Sequence, residues 1–235
     1  MTNDQRPMTN DQRLNTESSP SFISPALPPQ FMAENPHADR PIRLGIMASG
    51  SGSNFEAIAE AISSGQLHAK IQVLIYNNPK AKVLERANRW QVPAVLHNHR
   101  DYPSREDLDA KIIETLHEHD VELVVMAGWM RIVTPVLIDA FPNRILNLHP
   151  SLLPSFKGGH AVEDAIAAGV KISGCTVHLV APEVDSGKIL MQAAVPVFPN
   201  DTRESLHARI QVQEHQIYPL AIAIAAAGIH RRSAR

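Results

Sequence analysis

The chain has 235 residues, 44% of them hydrophobic, enough to bury a core as one domain or two small ones and too much for a peptide hormone or a disulfide scaffold. Lys and Arg number 22 against 24 Asp and Glu, a formal charge of -2, so no bulk positive field gathers phosphate backbones without regard to sequence. The single cysteine, Cys175, can form neither an internal disulfide nor a thiolate zinc cluster, which fits a reducing compartment, with the cytoplasm as the default.

In chain order, residues 1 to 40 hold six of the 18 prolines and no hydrophobic periodicity, and they read as a disordered tail. Within them Met1 to Arg6 recurs unchanged as Met8 to Arg13, a short duplication or an early translation start. Without the tail the body is formally neutral. From Pro41 the pattern alternates: a buried strand over Arg43 to Ala48, a helix over Asn54 to Ser63, a strand over Ile71 to Tyr76 and a helix over Ala81 to Trp90. A short strand follows near Ala94 to Leu96, then a helix over Arg105 to His119 with Ser104 as N-cap, and a strand over Leu123 to Ala127. Such alternation predicts an α/β fold, a mostly parallel sheet covered on both faces. A helix over His160 to Ala168 precedes two runs, Ile172 to Val180 and Ile189 to Phe198, close enough to form an antiparallel extension. A last helix spans about Arg203 to Ala227, with a break expected at Pro219. The longest apolar stretch, Tyr218 to Ile229, is too short to cross a membrane and reads as a buried helix; the start of the chain lacks a secretory pattern.

The first strand ends in Ser49-Gly50-Ser51-Gly52-Ser53-Asn54 and a helix follows at once. Glycines allow close backbone approach, the helix start offers free N–H groups, and serines add donors, so an anion is expected there. A dinucleotide fingerprint fails at Phe55, where a third glycine belongs, and at Asn77 and Asn78, where an acid belongs. A triphosphate loop fails for want of Gly-Lys-Ser/Thr, leaving a monophosphate, or a tight turn with no ligand. In Ile145-Leu146-Asn147-Leu148-His149-Pro150, residues two apart on a strand face the same side, so Asn147 and His149 share one space. An amide and an imidazole there can donate to one oxygen, as an oxyanion site requires; a His satisfied at a strand end is the plain alternative. Asp185, in the loop between the two antiparallel runs, would favour an imidazolium if it lay beside His149, although Asp-Ser-Gly is also ordinary turn chemistry.

Five segments, Gly50-Ser51-Gly52-Ser53-Asn54, Ala127-Gly128-Trp129-Met130-Arg131, Asn147 to Pro154, Asp185-Ser186-Gly187 and Gln213-Glu214-His215, resemble phosphoribosylglycinamide formyltransferases, in order from about Arg43 to Gly228. The second and third are shared by folate-dependent formyl transfer enzymes in general. The resemblance implies a Rossmann-like formyltransferase fold in one domain over 41–235, with a nucleotide-binding half over about 41–140 and a folate and catalytic half over about 141–235. It implies formyl transfer from 10-formyltetrahydrofolate to the amine of glycinamide ribonucleotide. Carried over by position, Gly52, Ser53 and Asn54 hold the phosphate and Glu214 the ribose hydroxyls. Arg105 and Met130, Arg131, Ile132 and Val133 hold the folate, with Asn147 beside it and Ala181, Pro182, Glu183 and Val184 closing over its pterin. Asn147, His149 and Asp185 form the catalytic group. Trp129 and the Phe156-Lys157-Gly158-Gly159 stretch depart from the family pattern.

The expected partners are these two small molecules, with no nucleic acid, no membrane and no metal, in a monomer or homodimer. His97/His99 and His117/His119 lack companion ligands and read as surface histidines. A formyltetrahydrofolate deformylase is the alternative, but residues 1 to 40 are too short and polar for the regulatory domain that enzyme carries. A methionyl-tRNA formyltransferase would need a further C-terminal domain. A non-catalytic phosphate-binding module would leave Asn147, His149 and Asp185 without a joint purpose.

Overall fold

A computed structural model describes residues 22–26 and 40–233. Its strands are β1 (Phe22–Ser24), β2 (Ile42–Ala48), β3 (Ala69–Tyr76), β4 (Ala94–Leu96), β5 (Leu123–Met126), β6 (Ile145–His149), β7 (Ile172–Leu179) and β8 (Ile189–Pro196). Its helices are α1 (Ser53–Ser63), α2 (Val83–Arg89), α3 (Arg105–Glu118), α4 (Pro135–Ala140), α5 (Ala161–Ala167) and α6 (Arg203–Ser233), with a 3-10 turn at His99–Asp101. One sheet runs β1-β8-β7-β6-β5-β2-β3-β4. The segment β4 to β6 is parallel, and β7, β8 and β1 continue it antiparallel.

Alternation along each strand builds two cores. On β2, Leu44, Ile46 and Ala48 face α1, α2 and α6, whereas Met47 joins Val73, Ile75 and Val124 against α3 and α4. The sheet is therefore buried on both faces, as parallel strands require. Ser104 caps α3, its hydroxyl accepting the Asp107 N–H at 3.0 Å. From β2 the chain moves to β3 and β4 on one side and to β5 and β6 on the other. The crevice beyond the carboxyl ends of β2 and β5 lies at this reversal of direction, where open α/β sheets bind ligands.

Three expectations are corrected. Within the expected disordered tail, Phe22–Ser24 forms β1, pairing antiparallel with β8 through Ile23↔Ala193; the repeat Met1 to Arg13 lies outside the described residues. The last helix is not broken at Pro219 but runs from Arg203 to Ser233. Proline in a helix interior costs about 3 kcal/mol, yet Ile217, Tyr218, Ala221 and Ile222 on either side are fully buried, and the Tyr218 hydroxyl donates to the Met126 carbonyl at 3.1 Å. Packing fixes the backbone that the ring would otherwise bend. Finally, α4 and the 3-10 turn had no counterpart in the expected pattern. No helix of the described residues is long and apolar enough to cross a membrane.

Candidate functional site

The loop after β2 meets α1 through Gly52, whose φ of 75° is a left-handed conformation, and no side chain caps the helix. A Cβ on Gly52 would stand 2.4 Å from Val83 on α2, so only glycine lets the loop lie this close to that helix. The loop is also braced from behind: Val83 N–H donates to the Gly50 carbonyl at 3.1 Å and Arg86 Nε to the Ser51 carbonyl at 2.8 Å. In front, first-turn N–H groups are left for an anion. Asn54 Nδ2 donates to Glu214 Oε2 at 2.9 Å, and Gln211 Nε2 to Ser53 Oγ at 2.9 Å, tying α6 to the cradle. Asn54 Oδ1 is buried with no hydrogen-bond partner among the described residues. Burial pushes the Glu214 carboxyl above its ordinary range, outweighing the Asn54 hydrogen bond and the nearby His207 and His149.

A cavity of about 590 Å³ extends from this cradle along the ends of β5 and β6. Asn147 and His149, two apart on β6, both line it, as does Asp185. The carboxylate Oδ2 of Asp185 lies 3.3 Å from His149 Nδ1 and accepts the Gly158 N–H at 2.9 Å. His149 Nε2 donates to the Phe156 carbonyl at 2.7 Å. Both ring nitrogens thus face acceptors. Asp185 is pushed up by burial, but the His178 imidazole, the Gly158 N–H and the His149 imidazole outweigh this and hold it below the ordinary carboxylate range. Gly187 closes the Asp-Ser-Gly turn tightly: a Cβ there would stand 1.7 Å from the Leu179 carbonyl oxygen.

His178 belongs to the same cluster and went unnoticed in the sequence. It sits directly across from Asn147 in the β6–β7 register, its Nδ1 donating to the Leu179 carbonyl at 2.9 Å and its Nε2 3.2 Å from Asn147 Nδ2. One Asn147 N–H faces the His178 ring, and the other is uncommitted among the described residues. His178 Nε2 is also 3.7 Å from Asp185 Oδ1. The one available signal was its place in a strand that had to pair with Asn147's own.

The cavity mouth is apolar. Met130, Arg131, Ile132 and Val133 line it on one side and Ala181, Pro182 and Val184 on the other. Met130 N–H donates to Ser49 Oγ at 3.0 Å, and Asp109 on α3 accepts the Thr134 N–H at 2.6 Å, fixing both ends of the 130–134 segment. Two expected residues are placed elsewhere. Arg105 opens α3 in an exposed position outside the lining, and Glu183 also lies outside it, accepting Lys157 Nζ at 3.0 Å. Arg203, His207 and Gln211, none of them singled out from the sequence, do line the cavity.

A profile of the formyl transferase family matches residues 42–222. The phosphoribosylglycinamide formyltransferase of Bacillus subtilis (strain 168) is 40% identical over 180 residues, 77% of this chain and 92% of that protein. The trifunctional purine biosynthetic protein adenosine-3 of Chironomus tentans is 41% identical over 191 residues, 80% of this chain, but the chain spans only 14% of that protein's length. The crystal structure of glycinamide ribonucleotide transformylase 1 from Symbiobacterium toebii superposes with a TM-score of 0.79 at 47% identity, covering 80% of this chain and 89% of that one. With an eight-stranded mixed sheet of matching fold, the chain belongs to the formyl transferase family, among the phosphoribosylglycinamide formyltransferases.

Proposed function

We propose that this chain transfers the formyl group of 10-formyltetrahydrofolate to the amine of glycinamide ribonucleotide, a step of purine biosynthesis in the cytoplasm. The observation that carries the reading is the joining of an uncapped α1 start to the Asn147, His149 and Asp185 cluster by one cavity. The ribonucleotide phosphate meets Gly52, Ser53 and Asn54, and Glu214 accepts from the ribose hydroxyls. The folate enters between Met130–Val133 and Ala181–Val184, against Asn147. Arg105 meets whatever part of it projects from the cavity. Each substrate then draws on both halves of the chain, so a division into a nucleotide half and a folate half is not clean.

The amine nitrogen attacks the formyl carbon, an N–C bond forms and the carbonyl oxygen becomes an oxyanion. Collapse breaks the bond from carbon to N10, and the proton lost by the amine is balanced by one gained at N10. The uncommitted N–H of Asn147 and the imidazolium of His149 donate to the oxyanion, and Asp185 sustains the imidazolium charge. His149 first exchanges its Phe156 carbonyl partner for the substrate oxygen, while the Asp185 side of the ring keeps its contact.

The test follows loss of 10-formyltetrahydrofolate with and without glycinamide ribonucleotide. Strict dependence on the ribonucleotide is expected. Loss at an equal rate without it would mean that water replaces the amine, the reaction of the deformylase.

A further inference from the structure

The first turns of α6 carry a feature that the reading above leaves unused. Arg203, His207, Gln211 and Glu214 recur at helical spacing and all line the cavity, forming one stripe on a helix whose other face, Leu206, Ile210 and Ile217, is fully buried in the core. Two members of the stripe have fixed partners on the cradle: Glu214 holds Asn54, and one turn earlier Gln211 holds Ser53. As α6 is followed toward its start, its partners move back along the phosphate loop. His207 lies one turn further toward the start of α6, about 6 Å along the axis, and lines the same cavity as Gly50 to Gly52. Arg203 is already engaged, its Nε 2.6 Å from Glu163 Oε1. The His207 ring is exposed, and no hydrogen bond, ion pair or ring contact engages it among the described residues. An exposed imidazole on the wall of the cavity that the loop before α1 also lines, within electrostatic reach of Glu214 but with no hydrogen-bond partner among the described residues, has donors to offer.

We propose that His207 is a further ligand of the ribonucleotide phosphate, donating from α6 to an oxygen that the α1 cradle leaves free. The phosphate is then held from two sides, by loop and helix-start N–H groups on one and by a ring N–H on the other. The position along the stripe selects the phosphate over the ribose, because the ribose level is already served by Glu214. The inference rests on the proposed reaction and assigns a residue to its nucleotide end.

Steady-state kinetics on the full chain test it, with glycinamide ribonucleotide and 10-formyltetrahydrofolate varied in turn. His207→Ala should raise KM for the ribonucleotide about 10-fold, the loss expected for one hydrogen bond to a charged group, with kcat, the folate KM and the thermal midpoint within twofold or unmoved. His207→Lys should restore most of the affinity. With the dephosphorylated glycinamide riboside as substrate, wild type and His207→Ala should behave alike. An unchanged ribonucleotide KM in His207→Ala would overturn the proposal. So would an equal penalty with the riboside, which would move the contact to the sugar, or a joint fall in kcat, folate affinity and thermal midpoint, which would make the residue structural. Wild type that turns over with the ribonucleotide separates these outcomes from failure of the reaction itself. Wild type that does not turn over removes the role of His207 together with the reaction.

Discussion

The two ends of the cavity are built differently. At the end proposed for the phosphate the backbone lines the cavity, and every segment of it is tied down: Gly52 against Val83, Gly50 and Ser51 by hydrogen bonds from α2, Ser53 and Asn54 by α6. At the mouth, proposed to take the folate, apolar side chains stand in solvent, Met130 at 76% and Ile132 at 54% exposure, and the loops facing each other are joined at the surface by the exposed Lys157–Glu183 pair. Such a pair contributes about 0–1 kcal/mol. One end is shaped before its ligand arrives; the other has apolar surface that a ligand must cover. The Asn147, His149 and Asp185 cluster lines the same cavity, His149 held by the Phe156 carbonyl and Asn147 facing His178 on β7.

The largest effect should come where the two ends meet. His149→Ala should lower kcat about 10²- to 10³-fold, the usual consequence of losing one preorganised donor, with both KM values nearly kept. Asp185→Asn removes the carboxylate charge 3.3 Å from His149 Nδ1, so its kcat should also fall, with both KM values nearly kept. Because the two act as a unit, the double variant should be scarcely worse than His149→Ala. Fully additive losses in kcat would separate Asp185 from His149 and leave it a turn residue. In wild type Asp185 is held low, so its contribution is present above the ordinary carboxylate range and is lost only as pH drops through its depressed value.

A smaller and one-sided effect is expected from Gly52→Val. The added side chain collides with Val83 and distorts a left-handed position, so ribonucleotide KM should rise at least about 10-fold while folate affinity, measured by binding of a folate analogue, stays put. Equal loss of both affinities would mean that the two ends are not independent. The smallest effect is on stability, and it has the opposite sign. Burial raises the Glu214 carboxyl, so the fold favours its protonated form; the stability this gives is complete below the ordinary carboxylate value and is lost as pH rises through the raised one. Glu214→Gln should therefore melt about 2–4 °C higher than wild type at neutral pH, the shift expected for about 1 kcal/mol, with no gain near pH 4, while ribonucleotide KM rises. Thermal melts across that pH range check the sign. A variant less stable at both pH values would show that the carboxylate is a structural asset.

What was legible in the sequence was local. Glycines before a helix announce a tight loop with an uncapped helix start, and period two on β6 places Asn147 and His149 on one cavity, because both signals are set within a few residues. Proximity of Asp185 to His149 came from resemblance and is borne out by the 3.3 Å separation. What escaped depended on partners distant in the chain. Nothing in its own segment tells His178 that it will pair across from Asn147, and nothing announces that the Phe156 carbonyl will take His149 Nε2. β1 escaped because three residues among prolines have no detectable alternation; the free edge of β8 makes them a strand. Pro219 misled for the same reason in reverse, since a local rule was overruled by tertiary packing. Arg105 and Glu183 were placed by position in the family pattern, and both lie outside the cavity lining.

The continuity of α6 through Pro219 bears on how this enzyme can change over evolutionary time. One helix carries two messages written at neighbouring phases of its turn, a core message at Leu206, Ile210 and Ile217 and a cavity message at Arg203, His207, Gln211 and Glu214. Since these two sets of positions are distinct, the outermost cavity position, 203, is open to substitution without any rearrangement of the core. Lineages can therefore explore different polar rims around the ligand on an invariant frame, and sequence variation among relatives should be greater at 203 than at 206 and 210, which follow it on the same helix.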